Sequence, residues 1–325
     1  MLSRRDLLTS TFAASALFGL SACGSSTSGT TSASATAAPS ASMAGAPPGT
    51  TPGDTSATSD AAVVAKFKQF SFADPKTGQT LKYNLFTPDG YDGSKSYPMV
   101  LFMEDSSVVG STTTTALTQG TGATCWATTT DQAKRPCFVL APQYESVVVN
   151  DNSEATSLLD TTVNLVNELT GKYKIDTARL YTTGQSMGGM MSIAIDIKYP
   201  DLFAASYLVA CQWDAAKVAP MENDKLWITV SEGDTKAYPG QNAILAALKT
   251  DGATYTQAQL DGSASADQLS TACAAVAAKG TAINYTTFKT GTLPGTAAGG
   301  MEHMATWQKA YAIESIREWI FAQKK

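Results

Sequence analysis

"YTTGQSMGGMMS", residues 181–192, sets a serine between glycines directly after a short apolar run. Gly184, Ser186 and Gly188 match the G-x-S-x-G pattern, in which a sharp strand-to-helix turn exposes the serine hydroxyl. The plainer reading is an ordinary small-residue helix start. The two readings differ in what they require elsewhere. A nucleophilic serine needs a base, an acid and an anion site, each just after a strand.

The flanking pattern supplies those strands. Short apolar or β-branched runs fall at 66–72, 81–88, 97–103, 137–144, 179–184, 203–210, 225–230 and 283–288. The first two alternate, which suits an antiparallel edge hairpin. The later ones are continuous, as strands buried on both faces are. Helical patterns lie between them, at 123–135, 154–173, 186–199, 239–252, 265–280 and 306–325. Over 154–173 the residues Leu158, Leu159, Val163, Val166 and Leu169 mark one apolar face. Strand and helix in alternation predict an α/β fold: a mostly parallel central sheet with helices on both faces.

In such a sheet, ligands sit beyond the C-terminal ends of the strands. Three chemically apt residues follow strands there. Ser186 comes after 179–184, Asp234 after 225–230 in "SEGDTKA", and His303 after 283–288 across a glycine-rich loop. A serine hydroxyl needs a base to take its proton, and the chain has a single histidine. A histidine base here is therefore His303. The acid holds the imidazole in one tautomer. Asp234 fits by position, with Glu232 in the same loop and Asp214 after the preceding strand as alternatives. Gly184 and Gly188 allow strand and helix to approach closely. The N–H of Met187 then opens a helix and faces a developing oxyanion. Gln212 and Trp213, after the sixth run, are candidates to line a substrate.

Several stretches resemble one group of α/β-hydrolases: feruloyl and acetyl-xylan esterases, esterase D, polyhydroxybutyrate depolymerases and related peptidases. "LFTPDGYDGSKSYPMVLFM" resembles their leading strands, and "CFVLAPQY" their fourth strand. "YTTGQSMGGMMSIAIDIKYPDLFAASYLVA" resembles their nucleophile elbow, and "EHMATWQKAY" with "REWIFAQK" their histidine helix. The resemblance covers nearly all of residues 80–325 and implies the α/β-hydrolase fold with Ser186, Asp234 and His303 as catalytic triad. One stretch departs. Where the group carries His-Gly after the third strand, this chain has Glu104-Asp105. By alignment the second oxyanion donor is the N–H of Ser106, and two carboxylates beside it are unfavourable unless their side chains turn away.

The ends and composition bound the setting. A basic start with Arg4-Arg5, an apolar stretch from Leu7 to Leu20 and "LSAC" at 20–23 read as a signal peptide with a lipobox. Cys23 is the expected lipidation site. Residues 24–62 are almost wholly Ser, Thr, Ala, Gly and Pro, a composition expected to form a disordered tether. The globular body is then 63–325, held outside the cytoplasm on the bacterial cell membrane. Net charge is −5, with no basic cluster after the tether, so no nucleic-acid partner is expected. Cys125, Cys137, Cys211 and Cys273 remain, and export makes one or two disulfides an expectation. Their spacing does not suit a metal, and the chemistry calls for no cofactor. The expected activity is hydrolysis of carboxylic esters, on a small or polymer-linked substrate. A peptidase of the same fold, a silent glycan-binding surface protein and a solute-binding lipoprotein are the rivals.

Overall fold

The computed structural model describes residues 61–296 and 301–325. The leader, Cys23 and the tether as far as residue 60 lie outside the described residues. The strands are β1 (Lys68–Ala73), β2 (Thr80–Phe86), β3 (Tyr97–Met103), β4 (Phe138–Gln143), β5 (Ile175–Gln185), β6 (Ala205–Val209), β7 (Leu226–Ser231), β8 (Tyr255–Leu260) and β9 (Ile283–Phe288). They form one sheet in the order β1-β2-β4-β3-β5-β6-β7-β9-β8. The pairs β1/β2 and β2/β4 are antiparallel, and the remaining pairs are parallel.

The central strands β3, β4, β6, β7 and β9 are buried at every position, as their unbroken apolar runs require. At the rim, β1 alternates between exposed and half-buried residues. A register shift between Tyr97 and Met99 falls at Pro98, which has no N–H to give the ladder.

The helices are α1 (Ala61–Val64), α2 (Thr115–Thr118), α3 (Thr129–Lys134), α4 (Ser157–Lys172), α5 (Met187–Lys198), α6 (Ala237–Thr250), α7 (Ala266–Ala277), α8 (Glu302–Ala312) and α9 (Glu314–Ala322). Apolar residues of α4, α5 and α6 pack into one core layer, among them Val166, Ile193 and Leu248. Those of α7, α8 and α9 pack into the other, among them Leu269, Tyr311 and Ile316. Helices thus cover both faces of the sheet, the α/β-hydrolase arrangement.

Four sequence expectations change. The strand β8 has no counterpart among the apolar runs, because "YTQAQL" is a polar edge strand. The single helix expected at 306–325 is two, α8 and α9, separated by Ile313 in an extended conformation (φ −78°, ψ 108°). The helix expected at 123–135 is a 3-10 turn (Thr124–Ala127) followed by α3, with the Thr128 side chain accepting from the Asp131 N–H. The expected disulfides are absent among the described residues, where Cys125, Cys137, Cys211 and Cys273 are all free. Three of these sulfurs are engaged elsewhere: Cys137 with Gln132 Nε2 (3.4 Å), Cys211 with Gln241 Nε2 (3.3 Å) and Cys125 with the Gly122 carbonyl (3.8 Å). The fourth, Cys273, is buried in α7.

The register levels the C-terminal ends. Met103 pairs with Gly184, Gln185 with Val209, and Ser231 with Phe288. The loops that leave these residues therefore share one edge of the sheet.

Candidate active site

Ser186 joins β5 to α5 with φ 51° and ψ −117°, a strained conformation for a residue with a side chain. Its N–H donates to the Val209 carbonyl (3.0 Å). Its hydroxyl makes no capping bond to α5, so Oγ is not spent on the helix. The turn exists because two glycines permit it. A Cβ on Gly184 would lie 2.3 Å from the Gly188 backbone, and one on Gly188 would lie 2.0 Å from the Met103 carbonyl oxygen. The same contact brings the end of β3 against the start of α5. The 181–192 stretch is thus an elbow and not a plain helix start.

His303 Nε2 lies 2.9 Å from Ser186 Oγ, and Nδ1 lies 2.5 Å from Asp234 Oδ2. Asp234 is buried at the start of α6. Its Oδ1 accepts from the N–H groups of Ala237 (2.9 Å) and Lys236 (3.1 Å). Burial alone would raise its pKa. The His303 hydrogen bond, the helix N–H groups and the imidazole's charge outweigh this and hold it below the ordinary carboxylate value. An ionised carboxylate only accepts, so Nδ1 carries the imidazole proton and donates it to Asp234. In the neutral ring Nε2 is then bare, and the serine hydroxyl donates to it. Trp307, one turn along α8, stands edge to face on the imidazole (5.5 Å, 76°) and limits its rotation.

The alternative acids are engaged elsewhere. Glu232 accepts from Gln259 Nε2 and from Thr287 Oγ1 (2.8 Å). Asp214 caps a 3-10 turn through the Ala216 N–H (3.0 Å). Trp213 is 7% exposed and packs with the core. Gln212 is half-buried and donates to Asp151 Oδ1 (3.0 Å).

As the first residue of α5, Met187 has no intrahelical acceptor for its N–H. Ser106 opens a 3-10 turn, Ser106–Val108, just after β3. Each carboxylate beside it accepts hydrogen bonds from other groups through one oxygen, and the second oxygen of each is buried without a partner. Asp105 Oδ1 accepts from the Ser107 N–H (2.8 Å). Glu104 is 0% exposed, and its Oε1 accepts from Gln143 Nε2 and the Tyr144 N–H, both at 2.9 Å. Its Oε2 is buried without a partner. Burial, reinforced by the neighbouring Asp105 charge, pushes Glu104 up to about 8 against the hydrogen bond that the Tyr144 N–H donates to it. At neutral pH it is mostly the uncharged acid, so it adds little negative charge beside Ser106.

This has a consequence for stability. With the folded pKa near 8 and an ordinary value of 4.5, the folded state keeps a proton that the unfolded chain has released. Stability from this group is full below about pH 4.5 and falls as pH rises to about 8, by up to about 1.4 kcal/mol per pH unit. Glu104→Gln, which keeps the shape and the Oε1 acceptor, should remove that slope. Thermal melts from pH 5 to 9 should show the variant gaining on the wild type as pH rises. Melting curves that stay parallel across the range would contradict the assignment.

Sequence patterns missed Glu302. Its Oε1 accepts from the Gly291 N–H (2.7 Å), and its Oε2 accepts from the Ser231 hydroxyl. A Cβ on Gly233 would meet that carboxylate at 2.1 Å. Glu302 thus fastens the first turn of α8, and with it His303, to the end of β7. Its position beside the lone histidine was the one available signal.

The arrangement is one that suits nucleophilic attack by Ser186 on an acyl carbon with His303 as base. Comparison with known proteins gives the same fold. A thermostable esterase superposes with a TM-score of 0.67 at 24% identity, covering 81% of this chain; the chain spans 64% of that protein's length. A feruloyl esterase module from Clostridium thermocellum, complexed with sinapinate, gives a TM-score of 0.52 at 13% identity, covering 78% of this chain and 87% of that one. A ferulic acid esterase from Anaeromyces mucronatus, in complex with ferulic acid, gives 0.52 at 14%, covering 84% and 93%. No curated protein matches the sequence. The sequence matches the Esterase family over residues 75–313, and the chain belongs to that family.

Proposed function

We propose that the protein is a serine hydrolase that cleaves carboxylic esters through Ser186, His303 and Asp234. The observation that carries this reading is the unbroken chain of hydrogen bonds from Ser186 Oγ through the imidazole to Asp234. Ser186 Oγ attacks the ester carbonyl carbon while its proton passes to His303 Nε2. The N–H groups of Met187 and Ser106 receive the oxyanion. The tetrahedral intermediate collapses, the C–O bond breaks, and the alcohol leaves with the proton from Nε2. Water then attacks the acyl-enzyme, with His303 as base again. Asp234 stabilises the imidazolium formed in both halves. No step calls for a metal or cofactor.

Hydroxycinnamoyl esters are the first substrates to test, since two structural neighbours hold sinapinate and ferulic acid. Their identity to this chain is low, so a screen must cover more than one acyl class. Acetyl, butyryl and feruloyl esters should be compared with aminoacyl amides under the same conditions. Turnover of at least one ester class, with amides slower by orders of magnitude, is expected. Amide cleavage without ester cleavage would replace this reading with a peptidase.

A further inference from the structure

Two side-chain amides, the buried Gln143 and the half-buried Gln119, tie the segment after β3 to its surroundings, and neither has a chemical role in the reaction above. Gln143, the last residue of β4, donates from Nε2 to Glu104 Oε1 (2.9 Å) and to the Val108 carbonyl (2.8 Å). Its Oε1 accepts the Ala116 N–H (3.0 Å), which fixes the start of α2. Gln119, just past α2, uses a single oxygen for two donors. Its Oε1 accepts from the Asp105 N–H and from Gln185 Nε2, both at 3.2 Å. Asp105 immediately precedes Ser106, and the fully buried Gln185 immediately precedes Ser186.

That oxygen therefore joins the two backbones that carry the oxyanion donors. One donor, Ser106 N–H, lies on a loop with a single 3-10 turn; the other, Met187 N–H, lies on a rigid helix start. Such a pair stabilises an oxyanion only when both N–H groups sit about 2.7–3.1 Å from its position. Gln143 holds Glu104 and Val108 on either side of Ser106, and the Gln119 oxygen adds the link from Asp105 to the elbow that sets the two donors relative to each other.

We propose that Gln119 is a positioning residue for the oxyanion hole, its Oε1 coupling the Asp105 N–H to the Gln185 side chain and so fixing Ser106 relative to Met187. The proposal rests on the ester-hydrolase reading. It assigns to Gln119 an effect on the transition state and none on ground-state binding.

Gln119→Met keeps the side-chain length and removes the acceptor. Expected for this variant is a fall in kcat of about 10- to 100-fold with KM within about twofold. A boronic acid that forms a tetrahedral adduct on Ser186 should lose affinity by a similar factor, while the carboxylic acid product binds as before. Gln185→Met removes one of the two donors and should give a smaller loss of the same kind. The double variant should be no worse than Gln119→Met alone, because the two side chains act as a unit. Should Gln119→Met fail to fold, Gln185→Met carries the test by the same kcat, KM and boronate readouts. An unchanged kcat, a loss residing in KM, or equal weakening of boronate and product would overturn the proposal. So would additive losses in the double variant. A wild-type protein with neither ester turnover nor boronate affinity would overturn the parent reading; an active wild type with indifferent variants would overturn this inference alone.

Discussion

His303→Ala should lower kcat by about four to six orders of magnitude and remove the pH dependence of the remainder. The chain contains one histidine, so no second imidazole can take over as base. In the free wild-type enzyme Nε2 must be unprotonated to accept the Ser186 proton, so kcat/KM should rise with pH through one ionisation. The variant should lack that ionisation along with the activity. The side chain is 33% exposed, so its removal leaves only a partial void, and the variant should fold. Measuring kcat/KM from pH 5 to 9 for both proteins checks this. Ester turnover that survives the substitution with its pH profile intact would mean that another group serves Ser186.

Asp234→Asn should cost about four orders of magnitude in kcat with KM little changed. Asparagine can still accept the Lys236 and Ala237 N–H groups through Oδ1, so the start of α6 is preserved. What changes is the atom facing His303. An amide NH₂ donates, so Nδ1 must become the acceptor and the ring proton moves to Nε2. Nε2 then cannot take the serine proton. Asp214→Asn, at a residue whose carboxylate caps a separate turn, should leave kcat within about twofold. Steady-state kinetics on the two variants side by side make the comparison. A reversed ranking would move the acid to the loop after β6.

Much of this is legible in the sequence, for identifiable reasons. Strands β3 and β9 match their apolar runs residue for residue, because buried parallel strands leave few ways to read such a run. Ser186, Asp234 and His303 could be singled out because each follows a strand and the histidine is unique. Asp234 was preferred to Glu232 and Asp214 by position and resemblance, and the hydrogen bonds that engage the other two carboxylates add the physical reason. The rest was hidden for physical reasons. The strand β8 is held by pairing with β9 and not by an apolar run. The break at Ile313 is a backbone event within a continuous helical pattern. Glu302, Gln119 and Gln143 act through partners far away in sequence or through backbone groups, so no local motif marks them.

Covalent labelling with a fluorophosphonate, located by peptide mass spectrometry, tests the central claim most directly. Only a serine with an activated hydroxyl and an anion site for the phosphoryl oxygen should react at micromolar probe. The expected result is one adduct, on Ser186, absent in Ser186→Ala and slowed by orders of magnitude in His303→Ala. No adduct on folded wild-type protein, or an adduct on any other residue, would contradict the account.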